Sequence, residues 1–275
     1  MYSKSNWAGE RLVTSITNEV MLEHLHRYAL AIEICKNKKV LDIACGEGYG
    51  SNLMSKSAAE VTGIDIDETT INNASKKYFD KKIRFIKGSI LDIPADNGYF
   101  DLITCFETLE HVSNHEKVMS ELKRVLNPDG IVLISTPEKL NYSDKSNYKN
   151  PFHKKELYGG EFKALIKNYF KYTAFYCQFS SFSSIIMNEN EKGPFTCFTG
   201  NYEHIHVEDK LPHIYCIAIG SDKEFTLPHS GIFRKKQTIQ QIKDEQTQLI
   251  KKTMTYKVGN VILAPFKLIK SFFNL

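Results

Sequence analysis

Residues 40–50, VLDIACGEGYG, constrain this 275-residue chain more than any other stretch. Val40, Leu41, Ile43 and Ala44 form a short apolar run with β-branched content, the pattern of a buried strand. Gly46, Gly48 and Gly50 follow directly, and a helix-compatible segment follows them. Strand, glycine turn and helix together make the opening unit of a nucleotide-binding α/β domain. Glycines suit the turn because a ligand must come close to the backbone, where a Cβ would block it. A second strand, VTGID at 61–65, closes on Asp65, 19 residues after Gly46. Such folds set a carboxylate there against a ribose diol.

The turn is acidic. It carries Asp42 and Glu47 and neither Lys nor Arg. A pyrophosphate cofactor gains from a helix N-terminus but loses beside two carboxylates. S-adenosylmethionine has no phosphate and brings a sulfonium and an ammonium, which suit such a turn. The spacing also argues against a nicotinamide dehydrogenase, because Ser51 stands where the third glycine of GxGxxG belongs. A reading of Asp65-Ile66-Asp67 as the metal-binding DxD of a sugar transferase is made remote by the glycine turn before it.

The chain resembles the class I S-adenosylmethionine-dependent methyltransferases. The matching pieces are LDIACGEGYG (41–50), GIDID (63–67), GSILDIP (88–94), FDLITCFETLEHV (100–112) and LNPDGIVLISTP (126–137), in the expected order. The flanks GERLV (9–13), EHLHRYA (23–29) and NPFHKKEL (150–157) resemble a branch associated with bacterial surface polysaccharide, including the methyltransferase parts of O-antigen chain-capping enzymes. The resemblance implies an α/β fold: a Rossmann-like, seven-stranded, mostly parallel sheet with helices on both faces and a closing antiparallel hairpin. It implies S-adenosyl-L-methionine as cofactor, held by Asp42, Gly46, Gly48, Asp65, Ile66, Ser89, Ile90 and Phe106. Many relatives carry aspartate where this chain has Ser89, so the adenine contact falls to Ser89, the Ile90 backbone or Asp92.

Composition sets bounds. At 42% hydrophobic the chain can bury a full core, and its net charge of +4 is mild. No basic stripe interleaved with aromatics indicates nucleic acid. Six scattered cysteines without a CxxC pair read as buried, reduced thiols, and paired zinc ligands are lacking, so no metal is expected. The polar start MYSKSNWAGE does not read as a signal peptide, and no apolar run reaches the roughly 18 residues needed to span a bilayer. A cytoplasmic protein is expected, with three parts: an N-terminal lid and helix (1–36), the methyltransferase domain (37–222), and a basic, apolar tail (223–275).

Within the first part, Trp7, Glu10 and Arg11 are either packing residues or lid contacts. An amphipathic helix over about 18–36 places Met21, Leu25, Tyr28, Ala29 and Ile32 on one face. His24, His26 and Arg27 on it read as solvated or core-edge side chains. Asp67 caps a helix over 68–79, and Asn114 caps one over 115–126 with Val118, Met119, Leu122, Val125 and Leu126 inward. Residues 127–130, NPDG, read as a turn before a strand at 131–136.

Chemistry is expected at the end of the strand at 100–106, because the carboxyl edge of a parallel sheet faces the ligand crevice. A helical turn over 107–112 would set Glu107 and His111 four apart on one face, as a general base and its orienting carboxylate. The alternative is that Glu110 and His111 satisfy the backbone or each other beside the cofactor without handling protons. The polar stretch 137–153 reads as an acceptor lid with His153 as the second base candidate. The insertion 188–212, with His204 and His206, can shape acceptor choice. Residues 235–275 hold eight lysines against Asp244 and Glu245, a local +6. The tail reads as a packed helix, a partner-enzyme dock, or a peripheral anchor at the inner face of the plasma membrane. The expected reaction is in-line methyl transfer to an oxygen of a small-molecule or glycan acceptor, a sugar hydroxyl or phosphate. The alternatives are methylation of another small molecule, or a non-catalytic, cofactor-binding scaffold docked at the membrane.

Overall fold

A computed structural model describes residues 19–180, 183–189, 198–200, 205–207, 213–234, 247–248, 250–254 and 256–258. The lid residues Trp7, Glu10 and Arg11, the side chains of His204 and His206, and most of the 235–275 tail lie outside the described residues. The chain divides after Arg234 into two compact units.

The first unit alternates helix and strand. α1 (Glu19–Ile34) leads to β1 (Lys39–Ile43), α2 (Tyr49–Ser55), β2 (Glu60–Asp65), α3 (Glu68–Lys77) and β3 (Ile83–Lys87). β4 (Phe100–Phe106), α4 (His115–Val125), β5 (Leu126–Pro137) and α5 (Gly159–Tyr169) follow. Then come β6 (Tyr172–Ser180), β7 (Ser183–Asn188), β8 (Phe198–Gly200), β9 (Ile205–Val207), β10 (Tyr215–Ser221) and β11 (Gly231–Arg234). The main sheet has the order β11-β7-β6-β10-β5-β4-β1-β2-β3, and β8 pairs with β9 alone within the predicted insertion.

β1 to β5 run parallel, and β10 inserts antiparallel between β5 and β6. The expected closing hairpin is therefore present, but among the described residues the sheet has nine strands, not seven. β7 and β11 extend it past β6. The alternating burial of β7 seats a second antiparallel layer of pairing, and β11 becomes the new edge. Gly231–Arg234 was expected in the tail, because its four residues carry too little pattern to mark a strand.

The central strands alternate between two cores, as period-two side chains must. Leu41, Ile43, Ile103, Cys105, Val132 and Ile134 face the cluster that also holds Val118, Leu122 and Ile166 of α4 and α5. Val40, Leu102, Ile131 and Leu133 face the cluster with Leu30, Ala31 and Met54 of α1 and α2. α4 buries its predicted face: Val118, Met119, Leu122, Val125 and Leu126 are all inside. Asn114 and Asp67 cap their helices as read. The NPDG segment is drawn into β5 as a bulge, with Leu126 opposite Phe100 and Ile131 opposite Leu102.

α1 is rotated from its predicted face. Leu22, Glu23, His26, Arg27, Leu30 and Ala31 are buried and Tyr28 is inside as expected, while Met21, Leu25, Ala29 and Ile32 are only partly covered. The helix thus presents three polar side chains to the sheet.

Candidate active site

The sheet order reverses direction between β1 and β4, so their carboxyl ends part and open a crevice. Each of these ends is strained. Ala44 after β1 has φ +58° and Glu107 after β4 has φ +47°. Left-handed backbone costs an ordinary residue about 1–2 kcal/mol, and such strain collects at functional sites. Neither position carries a glycine to signal it in the sequence.

The glycine turn is held from β2. Cys45 N donates to the Ile64 carbonyl at 3.0 Å, and Gly46 N donates to Asp65 Oδ2 at 3.0 Å. Asp65 Oδ1 accepts from Asp67 N at 3.0 Å. The predicted ribose carboxylate therefore also clamps the turn. Gly46 has φ +53°, and a Cβ there would meet no atom within 4 Å. It borders open space, where a ligand can approach the backbone. Gly48 is glycine for a different reason. Its φ is +77°, and a Cβ would come 2.6 Å from the Phe85 ring.

Asp42 lies beneath this turn rather than on its surface. It is 1% exposed and accepts from Ser51 Oγ at 2.6 Å, Thr104 Oγ1 at 2.9 Å and Tyr28 OH at 3.2 Å. Burial pushes its carboxyl up to about 6, against the pull of the three hydroxyls. Glu47 meets Lys77 of α3 at 3.2 Å, so the fold supplies the cation that the local sequence lacks. The negative character of the crevice rests on Asp42 and Asp65.

The remaining predicted cofactor residues sit around the same opening. Ile66 is 68% exposed beside Asp65 and offers an apolar wall. Ser89 Oγ accepts from Leu91 N at 3.1 Å, so this hydroxyl shapes its own turn, and Ile90 is nearly buried. Phe106 packs edge-on against Tyr28, with ring centroids 5.2 Å apart.

Arg27 is the residue that the sequence reading missed. It is wholly buried, not solvated or at the core edge. Its Nη1 donates to Gln178 Oε1 at 2.6 Å and lies 3.7 Å from Glu107 Oε1, while the guanidinium lies 4.8 Å from the centre of the Tyr215 ring. Its Nε and Nη2 are buried and make no hydrogen bond to any described residue. Orphaned buried donors cost about 1–3 kcal/mol each, and an anionic group would satisfy them. The flank EHLHRYA carried the only signal, through resemblance.

Glu107 and His111 do not form the predicted pair. The left-handed turn at Glu107 sends its carboxylate to Ser135 Oγ at 2.6 Å and toward Arg27. The helical turn is shorter than expected and covers only Leu109–His111. His111 instead donates from Nδ1 to the Phe152 carbonyl at 3.1 Å, since a carbonyl can only accept. The polar lid brings His153 to it, with ring centroids 5.1 Å apart. Tyr142 also stacks on His153, with ring centroids 5.4 Å apart. Lys154 N and Lys155 N donate to the Glu110 carbonyl at 2.8 and 3.1 Å, which docks the lid on the end of β4. Glu110 itself is 1% exposed, and its carboxyl is driven well up by burial and then by Glu107. The lid bounds a cleft of about 630 Å3 lined by Lys139, Tyr148, Lys149, His153, Lys154 and Lys155 among others.

A parallel sheet with a switch-point glycine turn and a carboxylate at the end of the neighbouring strand β2 defines a Rossmann-like domain. Residues 41–134 match the family described as methyltransferase domain, and S-adenosyl-L-methionine is its cofactor. The chain is similar to the probable S-adenosylmethionine-dependent methyltransferase of Mycolicibacterium smegmatis, 32% identical over 162 residues, which cover 58% of this chain and 62% of that one. It is also similar to the ubiquinone biosynthesis O-methyltransferase of Dechloromonas aromatica, 38% identical over 112 residues, covering 40% of this chain and 47% of that one. The chain thus spans less than two thirds of the length of these relatives. Among solved structures, the YcgJ protein of Bacillus subtilis shares the fold, with a TM-score of 0.52 at 20% identity over 77% of this chain and all of that one.

The described residues fit this cofactor. Gly46 leaves a space that a Cβ would fill. Asp65 and Ile66 offer an acceptor and an apolar wall at its edge. The two orphaned donors of Arg27 suit the α-carboxylate of the methionine moiety. No helix among the described residues is long and apolar enough to cross a membrane.

Proposed function

We propose that this protein transfers the methyl group of S-adenosylmethionine to an oxygen of an anionic small molecule, a sugar hydroxyl or sugar phosphate used in surface-glycan assembly. The observation that carries the anionic acceptor is the lid cleft, where Lys139, Lys149, Lys154 and Lys155 outnumber Asp144 and Glu156. The polysaccharide setting rests on the resemblance of the flanking segments, and oxygen as acceptor is in keeping with the O-methyltransferase relatives.

The donor supplies an electrophilic methyl carbon. Alignment of the acceptor oxygen with that carbon carries most of the catalysis in such a displacement. A hydroxyl must also lose its proton, and His111 and His153 beside Glu110 are the side chains that would ease that loss, directly or through a group they hold. A phosphate acceptor is already ionised and needs no such help.

Mass spectrometry on candidate nucleotide sugars and glycan phosphates tests the reading through a mass gain of one CH2. The double variant Lys154→Ala/Lys155→Ala should raise KM for an anionic acceptor about tenfold, with donor affinity unchanged, since two rim contacts to charge are together worth roughly 1.4 kcal/mol. Methylation of neutral acceptors alone, indifferent to both lysines, overturns it.

A further inference from the structure

We infer that Glu110, His111 and His153 form a binding site for a divalent transition-metal ion of the zinc class. One carboxylate oxygen of Glu110 and one ring nitrogen of each histidine lie within 4.8 Å of one another. Three donors that close can converge on a single ion at ordinary ligand distances of about 2.0–2.2 Å after small side-chain rotations.

A second observation is independent of that proximity. Each histidine is already oriented through its other nitrogen. Nδ1 of His111 donates to the Phe152 carbonyl at 3.1 Å, and Nε2 lies 3.8 Å from Glu110 Oε1. Nδ1 of His153 meets Glu156 Oε1 at 2.5 Å, and the ring is fixed from one face by Tyr142. Metal-bound histidines are held in this way, by a carbonyl or carboxylate behind the ring that sets tautomer and orientation. Glu110 is likewise fixed, with Oε2 accepting from Thr136 Oγ1 at 3.1 Å. Asn150 Nδ2 donates to Nε2 of His153 at 3.0 Å and swings aside as the ion enters.

Two imidazoles and one carboxylate select a borderline ion such as Zn2+ over Mg2+ or Ca2+, which take oxygen ligands. Three protein ligands leave a coordination position open. The site lies where β4 ends and borders the lysine cleft through His153. This inference rests on the methyl-transfer reading for its purpose. An acceptor hydroxyl bound at the open position loses its proton to solvent, its oxygen lone pair forms the bond to the methyl carbon, and the carbon–sulfur bond breaks with its electron pair remaining on sulfur. The histidines then hold the ion and do not themselves abstract the proton.

The full-length protein, stripped with a chelator and dialysed, is titrated with Co2+, read by visible d–d absorption, and with Zn2+, read by calorimetry. One ion per chain is expected, with the absorption of a site of low coordination number. His111→Ala or His153→Ala should weaken binding more than about 100-fold, and Glu156→Gln about 10–100-fold. Every variant is checked for binding of S-adenosylhomocysteine, which reports an intact fold. Wild-type protein that binds S-adenosylhomocysteine but no ion overturns the metal site and leaves methyl transfer standing. Equal affinity in wild type and both histidine variants also overturns it, by placing the ion elsewhere. Metal binding lost with His153 in a protein that ignores the donor supports the site and overturns the methyl-transfer reading.

Discussion

Arg27 and Asp42 are two buried charges with opposite tasks. Arg27 sits among Glu23, Glu107 and Tyr215, and two of its nitrogens, Nε and Nη2, have no acceptor among the described residues. Arg27→Ala should therefore raise the dissociation constant for S-adenosylhomocysteine at least about 30-fold, since truncating a buried charged partner costs roughly 2–5 kcal/mol. Calorimetry checks this, and an unchanged constant would place the donor's carboxylate elsewhere. Asp42 titrates near 6 in the folded chain, above its ordinary value of 3.8. Between those values the native state keeps a proton that the unfolded chain releases. Its contribution to stability is thus present in full below 3.8 and is lost as pH rises through 6. A cationic donor favours the ionised carboxylate. Affinity for S-adenosylmethionine should then strengthen up to about tenfold per pH unit as pH rises toward 6 and level off above it. Asp42→Asn should flatten that profile; a variant with the wild-type pH dependence would assign it to another group.

The elements show where local pattern suffices and where it fails. α4 was legible from its sequence because five apolar residues recur at helical spacing behind a capping Asn114. α1 was legible as a helix but not in its rotation, because the sheet offers it hydrogen-bond partners that sequence spacing cannot display. Gln178 on β6 bonds Arg27 and the Glu23 carbonyl, and Ser184 on β7 bonds His26. α4 also fastens the segment before β4. Glu121, 5% exposed, accepts from Ile93 N at 3.0 Å, Lys117 at 3.1 Å and Arg124 at 2.8 Å. The Arg124 hydrogen bonds hold its carboxyl down at about 2, against 4.5 ordinarily. That stabilisation is full above 4.5 and fades as pH falls through 2. Glu121→Gln should lower unfolding stability by about 2 kcal/mol at neutral pH, with the gap between the two proteins closing as the medium is acidified. Chemical denaturation at several pH values checks it; a gap that widens in acid would contradict the assignment.

For the molecule as a whole, donor binding and folding are linked, because the crevice exists only when β1, β2 and β4 are in register. S-adenosylhomocysteine at a hundred times its dissociation constant should add about 2.7 kcal/mol to stability. In a domain of this size that raises Tm by roughly 5–10 °C, which scanning fluorimetry reads. NAD should give no shift; the reverse pattern would end the S-adenosylmethionine assignment. The sequence by itself determined the parallel half of the sheet, the glycine turn and the carboxylate at the end of β2. These are local features: a buried strand, a backbone that a ligand approaches and a helix cap each leave their mark within about ten residues. Tertiary structure alone decided the rest. It rotated α1 to bury Arg27, turned Glu107 away from His111, and carried His153 across more than forty positions to meet it. It also added β7 and β11 to the sheet. Such pairings join residues far apart in the chain, and their energies come from desolvation and hydrogen bonding that exist only once the strands have packed.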